Sequence, residues 1–250
     1  MKKAIPVFLF LALVLSVLSP LSAQAATFPD VPKNFWAYDQ IDLISKMGLF
    51  SGKPDGKFYP NEPITRGQVA LILYTFARNK FDFANRYLES TGIPLSEEDK
   101  TWRDFPATFA DVNPDTKLGK AVGLLAHYNI INGYPDGTFR PNEPITRGQM
   151  AVILSRYYWG SEEANRRARL FQHEPLPFKD SIPSAQRGYI YQVYDKGWMG
   201  GTSKTTFGAE KKVTRAQAAV ILHNLFYRTT ETLYWRNGSM GAVYPELIVP

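Results

Sequence analysis

Apolar positions along the chain fall into short stripes with helical spacing, and the stripes come in pairs. Ala37, Ile41, Ile44 and Gly48 form one; Leu118, Val122, Leu125 and Asn129 repeat it, as do Gln186, Ile190, Val193 and Gly197. The spacing is i, i+4, i+7, i+11, one face of a helix. Each set closes on Gly or Asn, the residues that best accept the left-handed conformation ending a helix. A second stripe follows each first one: Val69, Ile72, Leu73, Phe76, then Met150, Ile153, Leu154, Tyr157, then Ala218, Ile221, Leu222, Leu225. Its spacing, i, i+3, i+4, i+7, predicts another helix with one buried face. Thr65, Thr146 and Thr214 stand just ahead of these helices, each followed three residues later by Gln68, Gln149 or Gln217. That arrangement predicts a capping box, in which the Thr oxygen accepts from the third helical amide and the Gln reaches back. The pattern therefore predicts helix, loop, helix, three times over, in an all-α chain.

The loops repeat as closely as the helices. Pro54-Asp55-Gly56-Lys57-Phe58-Tyr59-Pro60-Asn61-Glu62-Pro63-Ile64-Thr65-Arg66-Gly67-Gln68 returns from Pro135 to Gln149 with two changes, Thr138 and Arg140. A worn third copy holds Thr206-Phe207-Gly208-Ala209 and Val213-Thr214-Arg215-Ala216-Gln217. Upstream openings match too: Phe28-Pro29-Asp30, Phe109-Ala110-Asp111 and Phe178-Lys179-Asp180. The Pro-Asp-Gly turns suit a tight reversal, and Phe58, Phe139 and Phe207 are expected as buried plugs beneath the loops. One helix pair cannot bury its own apolar face, so three pairs are expected to pack together. The units span residues 27–77, 108–158 and 177–227. Inserts at 78–107 and 159–176 separate them, and a tail covers 228–250. The first insert predicts an amphipathic helix from Phe81 to Leu88, and the second a basic helical run from Asn165 to Leu170 whose Arg166, Arg167 and Arg169 form a solvated face.

Residues 1–25 read as an export leader, with Lys2 and Lys3, an apolar run from Ile5 to Leu18 and a cleavage site at Ala23-Gln24-Ala25. No second long apolar run follows, so no membrane span is expected after cleavage. Composition narrows the chemistry. The 250 residues carry a net charge of +6, three His and no Cys. That excludes disulfides and thiolate metal sites, and it lacks the dense basic blocks of a nucleic-acid binder. No metal or cofactor is expected. The three His occupy unrelated repeat positions, and Glu62 and Glu143 sit in proline-rich turns, so an enzyme is not expected.

The capping box accounts for Thr and Gln but not for Arg66, Arg147 and Arg215. Each Arg opens a helix, where its positive charge opposes the helix dipole. Two readings fit. A helix N-terminus offers amide donors and Arg a planar fork, together an anion site. Alternatively each Arg bridges to Asp30, Asp111 or Asp180 and locks one unit to the next. Trp36, Phe35, Tyr38, Tyr59 and Tyr134 near the loops suit stacking on sugar rings, but any one of them taken singly fits a core position better, and Lys117 and Ala185 replace Trp36 in the other units.

The Phe-x-Asp opening, the Gly-x-Pro-Asp-Gly-x-Phe-x-Pro loop and the Ile-Thr-Arg-x-Gln helix start resemble the S-layer homology (SLH) domain, in three tandem modules of which the third is divergent. The resemblance implies a pseudo-threefold helical bundle that holds exported proteins non-covalently on the bacterial cell wall. It implies binding to a secondary cell wall polysaccharide, often bearing a pyruvate ketal, in grooves between modules. By the same resemblance, ligand-binding roles fall on Arg66, Arg147, Arg215, Asp30, Asp111, Asp180, Trp36, Gly52, Gly133 and Gly201. The family's common Glu is Gln68, Gln149 and Gln217 here, which removes a negative charge beside each Arg. The third unit lacks the Pro-Asp-Gly turn, so its groove is expected to be the weakest. Two other readings are a peptidoglycan tether in a diderm envelope and a structural surface-layer or partner-interaction protein. The implied location is the cell wall or cell surface.

Overall fold

The computed structural model describes residues 28–91 and 103–235, with side chains described for 28–79 and 103–226. The expected leader lies outside the described residues, as do the end of the tail and the side chains of the expected Phe81–Leu88 helix. Seven helices make up the described residues: α1 (Tyr38–Lys46), α2 (Arg66–Thr91), α3 (Lys117–His127), α4 (Arg147–Trp159), α5 (Ser161–Leu170), α6 (Ser184–Asp195) and α7 (Arg215–Trp235). No strand forms among them, and the fold is all-α, as the periodicity predicts. None of these helices is long and apolar enough to cross a membrane. The first insert continues α2 to Thr91 rather than opening a new helix. The second insert supplies α5, in which Arg166 and Arg167 bond Glu163 on their own helix.

Local chemistry explains the helix ends. Gly48, Asn129 and Gly197 adopt φ of 68°, 54° and 66° just past α1, α3 and α6. The next amide then folds back to the carbonyl five residues upstream: Leu49 to Ile44 at 3.1 Å, Ile130 to Leu125 at 2.8 Å and Trp198 to Val193 at 2.9 Å. This closes the helix end by satisfying a carbonyl that would otherwise lack a donor. At the other helix of each unit the capping box is present in all three copies. The Gln amides donate to the Thr hydroxyls at 3.2 Å, and the Thr amides to the Gln side-chain oxygens at 3.1, 3.0 and 3.1 Å.

The second stripe is buried throughout, and so are Ala37, Ile41, Ile44, Val122, Leu125, Ile190 and Val193 of the first and the plugs Phe58, Phe139 and Phe207; Leu118, Gln186 and Gly197 are half-buried, and Gly48 and Asn129 at the helix ends are exposed. The buried ones belong to one core that draws on all three units. At its centre three short chain segments bond one another in a ring. Ile64 donates to Val213 at 2.9 Å, Val213 to Ile145 at 3.0 Å, and Ile145 to Ile64 at 3.1 Å. Each of these residues has an apolar side chain that is completely buried. The ring holds the start of α2, α4 and α7 around one point, with each Arg beside the loop of another unit.

Candidate functional site: the junctions between units

Each repeat loop is held by its own opening Asp. Asp30 accepts from the amides of Phe58 and Tyr59 at 2.9 and 2.7 Å. Asp111 accepts from Phe139 and Arg140, both at 2.7 Å, and Asp180 from Phe207 and Gly208, both at 2.8 Å. The second amide in each pair belongs to a residue with positive φ: 59° at Tyr59, 59° at Arg140 and 74° at Gly208. A side chain in that region is strained, and the two charge-assisted bonds to the carboxylate oppose the strain. Burial pushes the Asp111 and Asp180 carboxyls up, but the bonded amides outweigh it and leave both below the ordinary 3.8. A depressed folded value means stability that is present above the ordinary carboxylate range and lost as pH falls through the depressed value. Urea unfolding is therefore expected to be flat from these groups between pH 7 and 5 and to weaken below about pH 4. Asp111→Asn is expected to be less stable than the native chain at pH 7 and to approach it near pH 2; an equal gap at both pH values would remove the argument.

Gly52, Gly133 and Gly201 fit beneath the opening Phe of the same unit. A Cβ on them would lie 2.5, 2.2 and 2.6 Å from a ring carbon of Phe28, Phe109 and Phe178. Beside these glycines are the carbonyls that receive the Arg side chains. Arg66 donates through Nε to Phe139 O at 2.9 Å and through Nη2 to Asn132 O at 2.8 Å. Arg147 donates to Phe207 O at 2.8 Å and to Gly200 O. Arg215 donates to Phe58 O at 2.7 Å and to Ser51 O at 2.9 Å. The guanidinium planes also lie against Phe139, Phe207 and Phe58, 4.6–4.7 Å from the ring centres. Unit one thus grips unit two, unit two grips unit three, and unit three grips unit one.

Two expectations change. The Asp carboxylates do not bridge to the Arg side chains, because their oxygens are engaged by amides of their own loops. The amides at the helix starts are not available to an anion either. Arg66, Arg147 and Arg215 donate their backbone N–H to Glu143, Lys211 and Glu62 at 3.0, 2.9 and 2.8 Å. Gly67, Gly148 and Ala216 donate theirs to Pro141, Ala209 and Pro60 at 2.9, 2.8 and 2.9 Å. Carbonyl oxygens from the neighbouring unit therefore complete each helix start, and their partial negative charge offsets the clash between Arg and the dipole.

The three guanidiniums are buried, with 7%, 4% and 2% of their residue surface exposed at Arg66, Arg147 and Arg215. None forms an ion pair among the described residues. Burial lowers the affinity of each for its proton, that of Arg147 to about 10, with Asp180 opposing the change from a distance. They remain charged at neutral pH. Nε and Nη2 are engaged; Nη1 donates to no atom of the described residues.

The structure thus brings the expected residues together in three sets: Arg66 with Asp111 and Gly133, Arg147 with Asp180 and Gly201, Arg215 with Asp30 and Gly52. Trp36 stays apart, 62% exposed and tilted against Phe35. A shallow hollow lined by Thr108, Asp111, Asn113 and Gly137 opens at the second unit. Among the described residues no His, Asp or Glu cluster could hold a metal ion. Pairings inside the loops escape a reading by motif. Lys53 bonds Glu62 at 2.5 Å, Tyr134 bonds Glu143 at 2.7 Å, and in the third unit the charge reverses, with Lys211 reaching Thr202 at 3.5 Å. The repeat alignment held the signal, since Glu62, Glu143 and Lys211 are equivalent positions.

Comparison with known proteins identifies the repeat. The S-layer homology domain profile matches residues 27–70, 108–151 and 177–219. A cellulosome-anchoring protein of Acetivibrio thermocellus is 32% identical over 135 residues, 53% of this chain and 26% of that protein. An S-layer protein of Bacillus licheniformis is 42% identical over 184 residues, 66% of this chain and 19% of its own length. An endoglucanase of Bacillus sp. is 31% identical over 177 residues, 70% of this chain and 16% of the enzyme. The matches therefore span only 16–26% of the length of these relatives. With three matched segments that cover more than half of it, the chain belongs to the S-layer homology domain family.

Proposed function

We infer that this chain is a non-catalytic attachment module of the bacterial cell surface, which binds an anionic secondary cell wall polysaccharide non-covalently at the junctions between its units. One observation carries the reading: three buried guanidiniums have no carboxylate partner among the described residues, and the Nη1 of each donates to none of their atoms. A carboxylate on the polymer, such as a pyruvate ketal, would supply the missing charge by a charge-assisted bond. The cyclic grip of unit upon unit supports a pseudo-threefold bundle with three such junctions. Several weak sites on one repetitive polymer add through effective concentration. The relatives named for S-layers and cellulosome anchoring support attachment at the cell surface, and the endoglucanase supports a role beside a catalytic region rather than as one. Lys211 replaces the acid of the other two loops, so the junction at Arg147 attracts an anion most strongly, the reverse of the ranking expected from motif erosion.

The test is sedimentation of the folded protein with purified wall material. Binding is expected to native walls and to fall by about a hundredfold after mild acid removes the ketal, as loss of several linked sites requires. Equal pelleting with peptidoglycan freed of secondary polymer would replace this reading with the peptidoglycan one.

A further inference from the structure

Where the chain enters the loop of the second unit, Asn132 stands directly before Gly133; Ser51 and Gly200 hold the equivalent places in the other units. Only the second unit therefore puts a side-chain amide ahead of the loop glycine. Asn132 is exposed to solvent, yet its polar groups are held. In the amide orientation that satisfies both ends, Nδ2 donates to Ile131 O at 2.9 Å and Oδ1 accepts from Arg156 Nη1 at 3.1 Å. Arg156 is positioned in turn by Asn165 Oδ1 at 3.3 Å. The main-chain carbonyl of Asn132 accepts from Arg66 Nη2 at 2.8 Å. The next amide, Gly133 N–H, donates to no atom of the described residues.

These contacts favour a reaction of the pair with itself. A deprotonated glycine nitrogen can close on the Cγ of a preceding Asn, because both atoms belong to one five-membered ring and glycine has no Cβ in the way. Two steps are costly: removing the amide proton, and building negative charge on Oδ1. Arg66 bonds the carbonyl of the same peptide whose nitrogen must lose its proton, and a charge-assisted bond there stabilises the resulting anion. Arg156 bonds the oxygen on which the tetrahedral intermediate carries its charge, the place of an oxyanion-hole donor. The Gly133 N–H has no acceptor to give up.

We propose that Asn132-Gly133 is a self-modification site, at which the side-chain amide becomes a carboxylate with water as the co-reactant and hydroxide as the catalyst. Hydroxide takes the proton of Gly133 N, whose electron pair forms a bond to Asn132 Cγ. The Cγ–Nδ2 bond then breaks, and the nitrogen leaves as ammonia with a proton from water, which regenerates the hydroxide. A succinimide ring remains. Water opens it at one of its two carbonyl carbons. Attack at Cγ restores the ordinary chain with Asp in this place. Attack at the main-chain carbon diverts the chain through Cγ and leaves a free α-carboxylate, an isoaspartate. The net change is gain of one water and loss of one ammonia in either case. The α-carboxylate of the isoaspartate contains the oxygen that Arg66 bonds, so this product gives that guanidinium the carboxylate it otherwise lacks.

Peptide mass spectrometry of the full chain, sampled over days in mildly alkaline buffer, tests this. The folded chain is expected to convert Asn132 faster than the same chain unfolded in urea, and to yield both Asp and isoaspartate. Arg156→Gln is expected to slow the folded reaction about tenfold and to leave the unfolded one unchanged; the factor is smaller than for a water-excluded oxyanion donor because Arg156 is only half-buried. Arg156→Lys keeps a charged donor on the same helix and is expected to recover part of the rate. An Asn132 amide that outlasts its unfolded counterpart would show that the fold shields the pair. Equal folded rates in the parent chain and in Arg156→Gln would show that the guanidinium does not assist. Either result overturns the proposal.

Discussion

Arg147→Met is expected to lower the unfolding free energy by about 3 kcal/mol. The Arg147 side chain bonds Phe207 O at 2.8 Å and Gly200 O, two acceptors in another unit. A methionine keeps most of the packing and removes both donors. Bonds from a charged donor contribute roughly 1.5–3 kcal/mol each, and an acceptor left dry costs a similar amount. Against this stands the gain from no longer burying a charge, which lowers the sum. Arg147→Lys is expected to recover little, because one ammonium on a flexible stem cannot span two carbonyls as a planar fork does. Arg166 provides the contrast. It is bonded at the surface to Glu163 on the same helix, and Arg166→Ala is expected to leave stability nearly unchanged. Urea unfolding with an unchanged slope measures all three. A loss below about 1 kcal/mol in Arg147→Met would show that the junction does not depend on this side chain.

Phe207→Ala has the larger expected effect, about 4 kcal/mol. The ring is fully buried, tilted against Phe178 at 5.4 Å between centres and covered by the Arg147 guanidinium at 4.7 Å. Truncation removes the transfer energy of the ring and leaves a cavity that backbone bonds on both sides prevent from collapsing. Gly208 is held to Asp180, and the Phe207 carbonyl to Arg147. The two residues should therefore not act independently. The double variant Phe207→Ala, Arg147→Met is expected to lose about 1 kcal/mol less than the two single losses together, since each substitution removes part of what the other contacts. A double-mutant cycle by calorimetry or urea measures this coupling, and strict additivity would mean that the plug and the junction are separate devices.

The repeat, the helix pairs, the capping boxes and the plugs were legible in the amino-acid sequence. Each depends on residues within about one helical turn or one tight loop, where spacing and residue type decide the geometry. Thr146 and Gln149 can meet only if a helix starts between them, and Asn129 can close a helix because its left-handed conformation is cheap. The importance of Arg66, Arg147 and Arg215 was legible as well, because a charge repeated against a helix dipole asks for a partner. What that partner is was not. Arg66 reaches a carbonyl 73 residues away, Arg147 one 60 away and Arg215 one 157 away. No local pattern encodes a backbone oxygen, since every residue has one. Packing three helix pairs around the Ile64–Ile145–Val213 ring decided which carbonyls arrived at the helix starts, and so turned an apparent anion site at free amides into an interlock that leaves one guanidinium nitrogen without a bond to the described residues.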